Sequence, residues 1–337
     1  MAAASAGKVW TGDLMKRARA RNKGTPPEYT SGNAPDRSAV ADLSLSPWGA
    51  TPSRIRPPVN RDYGWPGKVS SATRATIGYR ADMRIATWNV NGLRSRLDYV
   101  LHWLRARQPD VVGLQELKLE DDQFPSIAFE AEGYQAVTHG QKAWNGVAIL
   151  SREPAEVRQT GLPGQEEMGS RLITAQVSGI DFTTVYVPNG KTVEHDDFPR
   201  KLAWLDQLVE HWNANHSPDS QAVLCGDFNL CAQPIDSWKE NPEGIFHTAE
   251  ERAVYGRLID TGLIDLFRDR YPDEQKFTWW DYRMGAFHRN MGLRIDLILG
   301  TKSVRDRVTE VWTDRDYRKK QEGLTASDHA PVIADLD

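Results

Sequence analysis

Arg84-Ile85-Ala86-Thr87-Trp88-Asn89-Val90-Asn91-Gly92 reads as an apolar strand that stops in polar residues. Just beyond it, Leu97, Val100, Leu101 and Leu104 recur at i, i+3, i+4 and i+7, which predicts an amphipathic helix with Ser95 and Asp98 as candidate caps. A second strand over 110–114 then runs into Gln115-Glu116. The alternation continues with strands over 146–150, 172–177 and 182–187, a helix over about 198–213 and a strand over 222–225. A helix near 249–261 and strands over 294–299, 308–312 and 331–335 complete it. Strands and helices mix along 83–337 without a linker or an internal repeat. The expectation is one α/β domain of layered sheets flanked by helices.

Chemistry-bearing residues gather where these strands stop. Asn89 and Asn91 follow the first strand, Glu116 the second, and Asp227 and Asn229 the strand over 222–225. Asp296 lies early in the strand over 294–299, and Asp328-His329 precede the last one. Any one Asp or Asn at such a place is ordinarily a cap or a turn residue. Together they supply four carboxylates, two or three amides and an imidazole to one scaffold edge. Magnesium takes oxygen ligands, binds through one or two carboxylates plus substrate phosphate, and neutralises charge on a phosphoryl group. Another carboxylate can orient or deprotonate water, and an imidazole can stabilise the charged transition state. The inventory predicts phosphodiester hydrolysis. Zinc fits poorly, because Cys225 and Cys231 stand alone and no His pair has ligand spacing. A serine nucleophile is unsupported, because no G-x-S-x-G turn occurs.

Seven strings carry a resemblance. They are Thr87-Trp88-Asn89-Val90-Asn91-Gly92-Leu93-Arg94, Leu114-Gln115-Glu116, Trp144-Asn145-Gly146-Val147-Ala148-Ile149-Leu150-Ser151, Tyr186-Val187-Pro188-Asn189-Gly190, Gly226-Asp227-Phe228-Asn229, Arg294-Ile295-Asp296 and Ser327-Asp328-His329-Ala330-Pro331. In this order they resemble the exonuclease III family of abasic-site endonucleases, across essentially all of 83–337. The resemblance implies a four-layer α/β sandwich of two packed mixed sheets flanked by helices. It implies Glu116 as principal metal ligand, with Asn89 beside it and Asp328 nearby. Asp227 resembles the residue that aligns or activates the attacking water. Asn229 and Tyr186 are similar to groups that hold the scissile phosphate. His329 is expected on a phosphate oxygen, oriented by Asp296. Some family members carry Asp at the place of Asn91, which leaves metal affinity and ion number open.

The segment Thr278-Trp279-Trp280-Asp281-Tyr282-Arg283 through Asn290-Met291-Gly292-Leu293-Arg294 resembles the loop that forms a slot for an extruded baseless sugar in such enzymes. Trp279, Trp280 and Leu293 are its expected walls, with selectivity by steric exclusion. Arg94, Lys118, Lys142, Trp144, Asn189 and Arg283 are expected along the DNA. The implied activity is cleavage 5′ to abasic sites to leave a 3′-hydroxyl, with 3′–5′ exonuclease or 3′-end trimming. The implied cofactor is Mg2+, with Mn2+ as the alternative. The partner is double-stranded DNA with abasic sites or blocked 3′ ends, met by a monomer and away from membranes. Two other readings stand beside it: a phosphodiesterase for RNA, lipid or phosphoinositide, and a catalytically silent nucleic-acid-binding module.

Residues 1–82 differ in composition. They hold Pro26, Pro27, Pro35, Pro47, Pro52, Pro57, Pro58 and Pro66, a basic run Lys16-Arg17-Ala18-Arg19-Ala20-Arg21, and few aliphatic residues. They are expected to form a disordered or loosely ordered basic extension. A flexible DNA-binding arm, an organelle transit peptide and an upstream translational extension without a role are its three readings, the last because Met83 directly precedes the first strand. The chain is net -4 overall, so the body beyond this extension is acidic and must gather its positive charge on one face or neutralise acid with metal. No run is long enough to span a membrane, and there is no secretory apolar stretch. Two cysteines, read as small buried residues, point to a reducing compartment. That is a cytoplasmic, nucleoid-associated protein in a bacterium, or an organellar or nuclear one if the extension targets it.

Overall fold

The structure is a computed structural model that describes residues 82–337. The expectations for the N-terminal extension fall outside them. In order come β1 (Met83–Asn89), α1 (Leu97–Arg107), β2 (Val111–Gln115), α2 (Ser126–Glu130), β3 (Gln135–His139), β4 (Val147–Ser151), β5 (Ala155–Thr160) and β6 (Leu172–Val177). Next are β7 (Ile180–Tyr186), α3 (Asp197–Asn215), β8 (Ala222–Asp227), α4 (Ala249–Asp260), β9 (Ile264–Asp265) and α5 (Leu266–Arg270). β10 (Asp296–Gly300), α6 (Lys302–Arg305), β11 (Val308–Thr313) and β12 (Val332–Leu336) end the chain. The strands form two six-stranded mixed sheets, ordered β11-β12-β1-β2-β4-β3 and β5-β6-β7-β8-β10-β9.

Side-chain alternation makes the layers. Ile85 and Val111 point into the core between the sheets, where they join Ile149, Ile173, Phe182, Val223 and Ile298. Their neighbours Ala86, Trp88, Val112 and Leu114 point outward to meet Tyr99, Trp103 and Leu104 of α1. On the far side, Val185, Leu224, Leu297 and Leu299 meet Trp204, Leu208 and Trp212 of α3 and Leu258 of α4. Three buried clusters between four layers give the expected α/β sandwich.

Each sheet contains one parallel pair, β1 with β2 and β7 with β8. At Gly113 the two sheets nearly touch, and a Cβ there would lie 2.5 Å from Thr184 Oγ1. Gln115 bridges the same gap, its Nε2 donating to Thr184 Oγ1 at 2.7 Å. The ends of the two parallel pairs are thereby held together.

Several expectations are corrected. Ser95 and Asp98 do not cap α1: Arg96 occupies the N-cap without a side-chain cap bond, and Ser95 Oγ donates to Gly92 O at 3.1 Å. Capping is found at α4, where Thr248 and Glu251 form a reciprocal box. The edge strands β3 and β5 escape the periodicity reading because their residues are mostly exposed or half-buried. β10 starts at Asp296 because Arg294 turns into a buried ion cluster with Asp236 and Asp265. Among the described residues, no helix is long and apolar enough to cross a membrane.

Candidate active site

Hydrogen-bonded register brings the polar strand ends to one edge. Asn89 pairs with Gln115 in one parallel ladder, and Tyr186 with Asp227 in the other. Asp296, at the start of antiparallel β10, lies opposite Asp227. His329 precedes β12 and bridges to Trp279. Ligand atoms of Glu116, Asp227 and His329 all fall within 4.8 Å of one another.

Asn89 Nδ2 joins the two sheets, donating to Glu116 Oε1 and to Asp227 Oδ2, each at 2.9 Å. Its amide oxygen accepts the Asn91 backbone N–H at 2.9 Å. Asn89 thereby holds the two carboxylates beside one another. Lys118, expected along the DNA, places Nζ 2.9 Å from Glu116 Oε2 and 2.6 Å from Asn91 Oδ1. Asn91 in turn donates to Asp328 Oδ1 at 2.8 Å, and Trp279 Nε1 donates to Asp328 Oδ2 at 3.0 Å. With both oxygens engaged, Asp328 supports the rim and lies outside the tight group of three. Glu116 and Lys118 adopt φ of +55° and +57°, the left-handed region that costs a branched-out side chain about 1–2 kcal/mol.

Charge is arranged unevenly. His329 is buried, and its Nδ1 lies 2.9 Å and 3.1 Å from the two oxygens of Asp296. Burial opposes its protonation, but Asp296, Asp328 and Asp227 outweigh that and raise its pKa to about 10. Asp227 moves to about 7, because burial and the neighbouring Asp296 and Glu116 disfavour its charge more than His329 favours it. Glu116 is lowered: burial pushes up, but the Asn89 bond and Lys118 prevail. Asp328 is also lowered, with His329, Asn91 and Trp279 overcoming burial. The site thus holds a cationic imidazole, two firmly ionised carboxylates and a third poised near neutrality.

Asn229 steers that third carboxylate. Its backbone N–H donates to Asp227 Oδ1 at 2.9 Å, and its Nδ2 reaches Val187 O at 2.9 Å and Asp227 Oδ2 at 3.3 Å. Asn189 Nδ2 meets Asn229 Oδ1 at 3.2 Å. Tyr186 keeps its proton well above the ordinary range, through burial and then the fields of Glu116 and Asp227. Arg171, missed in the sequence, stacks on the Tyr186 ring at 4.8 Å and donates to Tyr186 O at 3.1 Å. Its buried charge lies in the fields of Glu116 and Asp227. Nothing in its local pattern separates it from a surface arginine.

Beside the acids is an apolar recess. Trp279 and Leu293 exchange backbone hydrogen bonds at 2.9 Å each, and both pack with Ile295, Cys231 and Phe246. Trp279 and Leu293 also line a cavity of about 430 Å3 with Trp238 and Phe246. Trp280 is corrected: it is 1 % exposed, in a separate cluster with Phe277, Phe287 and Ala330. Phe246 was missed as a lining residue. Arg94 is exposed on a 3-10 turn, and Lys142, Trp144 and Arg283 are exposed on loops, Trp144 at 71 %. Arg283 is tied to Asp281 at 2.6 Å. Cys225 and Cys231 are free and buried, and burial pushes the Cys225 thiol up to about 12.

Two carboxylates with adjoining amides suit a hard divalent cation, and the protonated imidazole suits the phosphate rather than the metal. Over residues 86–329 the chain matches the Endonuclease/Exonuclease/phosphatase family, and it belongs to that family. It is 35% identical over 269 residues to Exodeoxyribonuclease III of Haemophilus influenzae, covering 75% of this chain and all of that one. An AP endonuclease structure from Archaeoglobus fulgidus superposes with TM-score 0.72 at 36% identity, over 76% of this chain and 99% of the other. A 3′–5′ exonuclease from Neisseria meningitidis matches with TM-score 0.72 at 38% identity, over 76% of this chain and 100% of the other.

Proposed function

We propose that this protein is a magnesium-dependent DNA-repair nuclease that cuts the backbone 5′ to abasic sites, leaving a 3′-hydroxyl, and trims 3′ ends. The observation that carries the proposal is adjacency: the Glu116–Asp227–His329 group adjoins the recess of Trp279 and Leu293, joined through the Trp279–Asp328 bond. A phosphate at the acids then has its neighbouring sugar at an apolar wall. Similarity to an abasic-site enzyme and to a 3′–5′ exonuclease supports both activities.

Glu116, with Asp227 adjoining, would hold the cation, which when bound would polarise the phosphoryl oxygen and neutralise its developing charge. Asp227, near neutrality in pKa, accepts the proton of the attacking water, and Asn229 fixes its direction. Water adds to phosphorus, the P–O3′ bond breaks, and the leaving O3′ takes a proton from solvent to become the 3′-hydroxyl. His329 presents a protonated Nε2 to a phosphoryl oxygen while Asp296 fixes the ring from behind. Tyr186, held neutral, and the Asn189 amide donate to the same group. The Trp279 recess admits a sugar without its base, and the partner is duplex DNA bound by a monomer. Two buried unpaired thiols support a reducing compartment that holds the chromosome.

The test is incision of a defined abasic duplex and its intact counterpart, with magnesium or chelator. Cleavage confined to the abasic strand, abolished by chelator and by Glu116→Ala or His329→Ala, is expected. Absence of incision alongside turnover of an RNA or lipid phosphodiester would overturn the proposal.

A further inference from the structure

Lys201 of α3 is completely buried, an unusual place for an ammonium. Its Nζ has three oxygen acceptors: the Glu251 carboxylate, Asn229 O at 2.6 Å and Asn189 O at 3.4 Å. The two carbonyls belong to the residues whose side chains meet at 3.2 Å. Glu251 is equally committed. Its Oε2 accepts the Thr248 N–H at 3.0 Å and the Thr248 hydroxyl at 2.9 Å, and its Oε1 accepts the Phe246 N–H at 3.2 Å. Close packing locks the stem: a Cβ on Gly190, at φ +84°, would lie 3.0 Å from Lys201 Cδ and from Ile245 Cδ1.

One cation therefore ties together the loop after β7, the loop after β8 and the Phe246 segment of the apolar recess. Stability does not account for it, because well-packed apolar residues commonly replace a buried ion pair without loss. What an apolar pair cannot supply is direction. Three acceptors around a point donor set the distance between two main chains, and the amides in front inherit that distance.

We propose that Lys201, partnered by Glu251, is a positioning residue for the site, fixing the separation of the two loops so that the Asn189 amide addresses the phosphoryl group while Asn229 holds Asp227 in line beside it. This rests on the reading above, in which the Asn189 amide holds the scissile phosphate and Asn229 directs Asp227. The test uses the full chain with the double variant Lys201→Met/Glu251→Gln, which leaves no lone buried ion. The readouts are melting, kcat and KM on the abasic duplex, and the Asn189 and Asn229 side-chain amide resonances without DNA. A cooperative melt, shifted resonances, and a kcat lowered on the order of 10²-fold with KM little changed are expected. Lys201→Arg, which keeps the charge but widens the donor, is the second variant if the double one does not fold. It should move the same resonances and lower kcat by a smaller factor. Unmoved resonances with wild-type kcat in the folded variant overturn the proposal. If the wild-type protein incises no abasic duplex, the functional reading fails, while the resonances still decide whether Lys201 sets the loop separation.

Discussion

Asp296 faces Asp227 across the β8–β10 ladder, and the two carboxylates meet His329 at opposite ring nitrogens. Asp296 sits behind the ring at 2.9 Å from Nδ1, while Asp227 Oδ2 stands 4.0 Å from Nε2 on the open side. Asp296 orients the ring and contributes most to its charge. Under the proposed mechanism, Asp227 shares the space that the phosphate enters. Asp296→Asn separates these roles because it keeps the shape and removes the charge.

Asp296→Asn should lower kcat by at least about 10²-fold, with DNA binding retained. Its alkaline limb should also move. The wild-type imidazole is raised to about 10, so loss of the carboxylate brings its titration back toward neutrality and activity is lost at lower pH. A pH–rate profile checks this. An alkaline limb that stays in place would show that Asp296 does not set the imidazole charge.

Metal and pH should be linked through Asp227. Its pKa rises from 3.8 to about 7 on folding, so its contribution to stability is present below about 4 and lost as pH rises through 7. A divalent cation stabilises the ionised form. Magnesium should therefore raise the melting temperature more at pH 8 than at pH 5, by about 2–4 °C for each kcal/mol of binding. Thermal melts with magnesium and with chelator at both pH values decide; equal shifts would refute the linkage.

Trp279 and Trp280 should respond differently to truncation. Trp280→Ala empties a core position and should cost roughly 3–5 kcal/mol of stability. Trp279→Ala removes a half-buried ring and the bond to Asp328, and should chiefly reduce discrimination between abasic and intact duplexes. Melting beside the ratio of incision rates separates them. Equal stability losses with unchanged selectivity in both would place Trp279 in the core as well.

The layered architecture was legible because Ile85, Trp88, Val111 and Leu114 alternate or run apolar up to polar strand ends, and Glu116, Asp227, Asp296 and His329 were marked by standing there. β3 and β5 were not, since edge strands need no apolar face. The recess was half legible. Adjacent tryptophans on an extended segment point to opposite sides, so only one could line it, and the pattern does not say which. Lys201 was hidden for a different reason. A lysine on an amphipathic helix reads as solvated, and only loops arriving from 189 and 229 enclose it.

Glu116 and Lys118 adopt backbone angles that glycine would accept freely. Selection for thermal robustness alone would drift toward smaller residues there, surrendering a carboxylate and an ammonium for a relaxed chain. Durability and turnover are thus antagonists at two adjacent turns of this molecule, and a hardier variant must find its gains elsewhere.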